Sequence, residues 1–438
     1  MKIREMKKIY AVLYLFIMIF APPFLPKTNL ILSFYSILMI LIKYRKRYQQ
    51  VLMPSGQKRW VASICFFLAY AIAMILINGI FFNDMVQISH YTALFNRFMV
   101  LTVTLIPCVT YYICYMESNH LGVEDFIRFM IYASLIEAGL VFFSFVFDDF
   151  HNFLLILLRR FGDSDLYENT WYVAIRSYGF AGTFVDTFGF GMGLLAGISL
   201  IYGVLYKKIY VFFSLIIAIA GTIDSRTAMV IYAISIVVVL SYGVLKGKGK
   251  LLLGSLIGFA VMFIVARLML QFLENINYAT YAWVQNAWRE IRLLFESGES
   301  TGTFKILFSD GFWQFPGFFQ FLFGSGHSLY IAEGYAHSDV GYINDLWFVG
   351  IFGMFFLYGN LFQLVRKCYI SFSDISIKLY CIFFVLSFLV FNVKGCAIGY
   401  NPGMAVMLSM IFVTAFLSQN KKAEINLQIK PREKIHEI

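Results

Sequence analysis

The chain has 438 residues, 60% of them hydrophobic and 19% aromatic, with a mean hydropathy of +0.74. Only 14% are charged, against about 25% in soluble domains, which excludes an ordinary soluble globule. The formal net charge of +10 does not point to nucleic acid, because the excess Lys and Arg lie in short loops between apolar runs, where they orient membrane helices.

Apolar runs of about 18 to 22 residues recur along the chain and predict an all-α polytopic membrane protein. A transmembrane β-barrel would instead alternate polar and apolar residues in short segments. Residues 1–8, MKIREMKK, form a basic start, and an apolar run over 9–25 follows. Ala21-Pro22-Pro23 is a poor signal-peptide cleavage context, and a second apolar run begins at once. A hairpin turning over 22–28 is expected, its second span ending at Ile42 before KYRKR. Basic flanks put both ends of this hairpin in the cytoplasm.

Span three over 60–80 then leads outward and span four over 98–115 returns to the inner loop ESNHLGVEDFIR. Span five, 127–147, leads to an outer loop over 148–186, and span six, 187–206, returns to Lys207-Lys208. Span seven, 209–221, reaches the outer turn Asp224-Ser225-Arg226, and span eight comes back to the basic KGKGK. Span nine, 251–273, leads to the largest outer loop, 274–340; span ten ends at Arg366-Lys367, and a final hairpin precedes a basic cytoplasmic tail over 419–438. The expected architecture is a single integral membrane domain of about 12 transmembrane helices, both termini cytoplasmic, with the large outer loop between the ninth and tenth. The chain shows no internal repeat of the kind common in transporters.

Most residues suited to chemistry fall on the outer side. In the large loop, Val284, Ala287, Trp288, Ile291, Leu294 and Phe295 recur at helical spacing, with Gln285, Arg289, Glu290, Arg292 and Glu296 opposite. An amphipathic helix is expected there, either in the headgroup layer or packed on top of the bundle. Residues 311–324, GFWQFPGFFQFLFG, are very apolar but too short to span, which suits a re-entrant or interfacial segment. His327 and His337 follow. A loop histidine is commonly just a solvated polar group, but Ser338 and Asp339 adjoin His337 and a span starts within a few residues. With an unperturbed pKa of about 6.5, His337 suits a general base, and Asp339 is placed to orient it.

Arg176 precedes the small residues Gly179, Ala181 and Gly182 at the entry to span six. Arg226 lies in DSRTA between two apolar segments, where an arginine is costly without a partner. It either pairs with Asp224 or Asp186 or clamps phosphate, for which guanidinium is planar, always charged and bidentate. Arg97 and Arg267, near the outer boundary, are secondary candidates for the same role. Glu137, in the middle of span five, is a functional candidate by position, although the sequence offers it no partner. Asp163-Ser164-Asp165 has the spacing of a metal-binding pair but reads as a solvated turn, and no metal site is expected. The six cysteines, Cys65, Cys108, Cys114, Cys368, Cys381 and Cys396, lie in or beside apolar runs without metal spacing and read as packing residues. Nucleotide-binding, HExxH and serine-elbow motifs are absent.

Arg176 in R-x-x-G, the turn S-R-T-A around Arg226, and a large outer loop ending in G-x-G-H and H-S-D-x-G-Y before G-I-F-G together resemble bacterial O-antigen and capsule repeat-unit polymerases. Those are more distantly related to O-antigen ligases. The resemblance covers spans six to ten and implies transfer of a growing glycan from polyprenyl pyrophosphate to a sugar hydroxyl of a lipid-linked repeat unit. The reaction would run on the outer face of the plasma membrane with no nucleotide sugar, cofactor or metal. The resemblance assigns Arg176 and Arg226 to the pyrophosphate and His337 to the acceptor, while His327, Arg289 and Asp186 are candidates for contact with acceptor sugar. The implied partners are the polyprenyl-pyrophosphate-linked oligosaccharide, membrane lipid, a chain-length regulator and a flippase. A ligase transferring finished glycan to another acceptor would use the same donor chemistry. A flippase for lipid-linked oligosaccharide would be expected to carry mid-membrane charges and a two-fold repeat.

Overall fold

The computed structural model describes most of residues 3–81, 95–161, 179–247, 278–297, 305–327 and 338–433, with Arg176 and scattered positions over 249–275. Among the described residues the regular structure is all helical. The chain opens with α1 (Ile3–Phe20), α2 (Thr28–Lys43), α3 (Arg45–Ser55) and α4 (Gln57–Phe81). A π-helical turn, Phe95–Met99, runs into α5 (Val100–Ser118), followed by α6 (Val123–Val146) and α7 (Asp148–Phe161). Next come α8 (Asp186–Leu205), α9 (Ile209–Asp224) and α10 (Thr227–Leu245). The last group is α11 (Tyr278–Ser297), the short α12 (Phe318–Phe323), α13 (Gly341–Ser371), α14 (Ile375–Phe391) and α15 (Pro402–Glu433).

Among the described residues, six helices are long and apolar enough to cross a membrane: α4, the Arg97–Ser118 unit, α6, α8, α10 and α13. The helices α2 and α9, α14 and the Pro402–Leu417 part of α15 are apolar but shorter. The ninth predicted span lies almost wholly outside the described residues; the others overlap described helices, though α1, at the first, is in neither of these two groups. Two elements depart from expectation. The first part of the 148–186 loop is the helix α7, with Asp148 and Asp149 in its first turn and Arg159 and Arg160 in its last. This charge order complements the helix dipole. Leu154, Leu155 and Leu158 bury one face while Phe153 and Ile156 are exposed. The basic run after α2, to which the sequence assigns no element, opens a helix, α3.

The bundle is organised around α8, whose apolar stretch is 89% buried. Gly189, Gly193 and Gly197 recur at intervals of one turn along it and let neighbouring backbones approach closely, as in other small-residue membrane seams. A Cβ at Gly189 would lie 2.7 Å from Ser225 Cβ, and one at Gly193 would lie 2.7 Å from Ile231 Cβ. The turn between α9 and α10 is therefore held tightly against the start of α8. The α6, α14 and α15 helices also pack against α8.

The segment after α12 docks onto α13 where that helix breaks. Gly350 has φ 62° and ψ −179°, which removes it from the helical hydrogen-bond ladder and leaves upstream carbonyls without their usual donors. Ser325 N–H donates to Trp347 O at 2.8 Å and Gly326 N–H to Phe348 O at 3.0 Å. From α4, Tyr70 Oη donates to Phe323 O at 3.0 Å and Asn78 Nδ2 to Gly324 O at 2.9 Å. The apolar 311–324 stretch thus contains one short helix, and its end is fixed by main-chain bonds.

Candidate anion site at the arginine cluster

The α9–α10 turn carries Asp224, Ser225, Arg226 and Thr227. Ser225 is extended, φ −145° and ψ 129°, and turns the chain before α10 begins. Asp186, in the first turn of α8, ties this turn down: Thr227 Oγ1 donates to Asp186 Oδ1 at 2.9 Å and Ser225 Oγ at 3.3 Å. Lys394 Nζ stands 3.7 Å from Asp186 Oδ2. Val185, just before, has φ 59° and ψ −133°, a backbone state that is unfavourable for a β-branched residue. Its N–H donates to Asp224 Oδ2 at 2.9 Å. The main chain is thus held in an uncommon conformation where α8 meets the turn.

Arg176 and Arg226 converge here. Arg176, 8% exposed, donates from Nη1 to the Asp224 carbonyl at 2.8 Å. Arg226 donates from Nη2 to the Trp283 carbonyl at 2.6 Å, and its Nη1 stands 3.5 Å from Glu290 Oε2. Both guanidiniums lie near one indole: their Cζ atoms are 5.4 Å (Arg176) and 4.6 Å (Arg226) from the Trp283 ring centroid. Cation–π attraction of this kind contributes about 0.5–2 kcal/mol. Burial draws the Arg226 guanidinium below the usual arginine range; Glu290 opposes that shift and the charge of Arg176 adds to it. The two guanidiniums repel one another and are partly balanced by the Glu290 and Asp224 carboxyl groups, and their forked N–H groups suit a phosphate-type anion. Among the described residues, Arg226 Nε and Asp224 Oδ1 are buried without a hydrogen-bond partner.

The other sequence candidates fall elsewhere. Arg97 is 2.6 Å from Asp345 Oδ1 and donates from Nε to Ile398 O at 2.6 Å. Tyr358 Oη donates to the other Asp345 oxygen at 2.5 Å, so Arg97 belongs to a separate buried network joining the π-helical turn to α13. Arg267 and Arg289 are exposed, and no described contact brings either into the cluster. His327 is 3% exposed, with Nδ1 2.9 Å from Ser325 Oγ, inside the seam between α4 and α13. His337 and Asp163-Ser164-Asp165 lie outside the described residues. Beside His337, Ser338 is buried and firmly held: its Oγ donates to Phe312 O at 2.7 Å and its carbonyl accepts from Asn344 Nδ2 at 2.6 Å. Asp339 is half-buried.

Trp283 and Glu290 are the participants that sequence reasoning missed. They stand two turns apart and share a face of α11. Arg289, the candidate drawn from this helix, points about 100° away. Their seven-residue spacing puts them on one helical face, but nothing in the sequence points that face at Arg226. No protein-family model, curated protein or solved structure matches the chain.

Proposed function

We propose that the protein is a metal-independent glycosyltransferase that polymerises polyprenyl-pyrophosphate-linked repeat units on the outer face of the bacterial plasma membrane. The observation that carries this reading is the convergence of Arg176 and Arg226 on Trp283 at the α9–α10 turn. In the reaction, the bond between the donor sugar C1 and the pyrophosphate oxygen breaks, and the oxygen keeps the electron pair. The acceptor hydroxyl oxygen forms the new bond to C1 and its proton passes to a base, assigned to His337. Two guanidiniums neutralise the charge that develops on the leaving pyrophosphate.

The test is purified protein in lipid vesicles with lipid-linked repeat units and EDTA. A product ladder spaced by single repeats is expected, with polyprenyl pyrophosphate released in proportion. Glycan transfer to a different acceptor alone would turn the reading to a ligase. Movement of the unit across the bilayer with no bond formed would turn it to a flippase.

The reading also fixes an orientation, with about 12 crossings and both termini inside. Reporters fused after Lys208, Lys250 and Lys367 are expected to report cytoplasm, and those within 148–186 or 274–339 the outside. A cytoplasmic 274–339 loop would separate the cluster from outward-facing substrate and rule the mechanism out.

A further inference from the structure

Glu137 stands in the middle of α6 and is fully buried. Its carboxylate meets the main chain of the segment that carries Arg176. Phe180 N–H donates to Oε2 at 3.2 Å and Ala181 N–H to Oε1 at 3.1 Å. Gly179 packs against the same group: a Cβ there would lie 2.1 Å from Glu137 Oε1. Gly182 N–H then donates to Phe20 O at the end of α1, at 2.8 Å. A Cβ at Gly182 would meet Ala21 O at 2.4 Å. The 179–182 segment is thereby pinned between α6 and α1, directly downstream of Arg176.

We propose that Glu137 is the positioning residue of the arginine site: its buried carboxylate grips the consecutive N–H groups of Phe180 and Ala181 and so sets where Arg176 enters. The proposal rests on reading the cluster as an anion clamp. The chemistry explains the residue type. Two successive backbone donors need two acceptor oxygens on one side chain, which a carboxylate supplies. Glutamine has one oxygen and would turn its amide N–H₂ toward the second donor. A purely packing role at this depth would be met by leucine, without the cost of burying a polar group. Hydrogen bonds from two main-chain N–H groups offset that cost and constrain the backbone more tightly than apolar contact does.

The experiment compares the full chain in lipid nanodiscs with Glu137→Gln, Glu137→Leu and Gly179→Ala. Hydrogen exchange is read over 179–182 and over α8, and binding of inorganic diphosphate is measured by calorimetry. Faster exchange at Phe180 and Ala181 is expected in all three variants, with α8 unchanged. Diphosphate affinity should fall about tenfold in Glu137→Gln, the scale of one hydrogen bond. In the Arg176→Ala background the same change should cost nothing further, because the two residues act as one unit. A merely structural role would leave the two losses additive. Unchanged exchange at Phe180 and Ala181 in Glu137→Leu would overturn the inference, as would a full additive loss in the double variant. If Glu137→Leu does not fold, the glutamine and Gly179→Ala variants decide the matter. If the wild type takes up no diphosphate, the clamp reading fails, and the exchange data alone decide whether Glu137 holds the segment.

Discussion

Arg226→Lys is expected to slow polymer formation about 10²- to 10³-fold, the cost of losing one preorganised donor to a developing oxyanion. The charge survives in this variant, but the fork does not. Arg226 uses Nη2 for the Trp283 carbonyl and Nη1 for Glu290, so one side chain holds α11 and presents N–H groups at the cluster together. A lysine has a single nitrogen on a flexible stem and cannot do both. Arg176→Lys is expected to behave alike, since Arg176 reaches the Asp224 carbonyl through one nitrogen while its Cζ lies over the Trp283 ring. The measurement is the initial rate of ladder growth, normalised to inserted protein. Near-normal rates in both lysine variants would reduce the arginines to structural ties between the turn and α11.

His337→Ala carries the other large expectation, a loss of about 10² to 10⁴ in rate, the usual contribution of a general base. Donor binding should largely survive, because on the proposed reading pyrophosphate is held by the arginines. Asp339→Asn should cost less than loss of the histidine. His327→Ala is a different experiment. Its side chain is buried beside Ser325, so the expected effect is a lower unfolding temperature, with turnover per folded molecule little changed. Rates and donor binding are read separately; full activity in His337→Ala would remove the base assignment, and lost binding with unchanged turnover would make His337 a ligand.

What could be read from sequence followed from how each feature is encoded. Apolar run length announces a membrane helix, and α4, α6, α8, α10 and α13 all lie where the runs do. The α7 helix was passed over because its apolar stripe, Leu154, Leu155 and Leu158, is broken by charge at both ends and is too short to span. Arg226 stood out because an arginine between two apolar segments is costly without a partner, and Arg176 because small residues follow it at the entry to α8. Their shared tryptophan did not, because proximity between the α9–α10 turn and α11 leaves no mark in either stretch. Glu137 had no visible partner because its partners are backbone N–H groups, which every residue but proline carries. Only Gly179 and Gly182, small where the chain must pass close, hinted that something packs there.

The break at Gly350 also bears on the order in which the protein is made. Ser325 and Gly326 donate to carbonyls of Trp347 and Phe348, which do not yet exist when the ribosome has just completed the donors. At about 5–20 residues per second, the segment waits on the order of seconds before its acceptors leave the exit tunnel, and longer until α13 has inserted. Gly324 has an earlier partner in Asn78 of α4, but its close backbone contacts, with Val349 and Gly350, form only then. Nascent chains arrested before α13 is complete would carry this segment undocked, open to proteolysis or chaperone capture. The loop is thus closed from its downstream end, and insertion of α13 is the step that commits it.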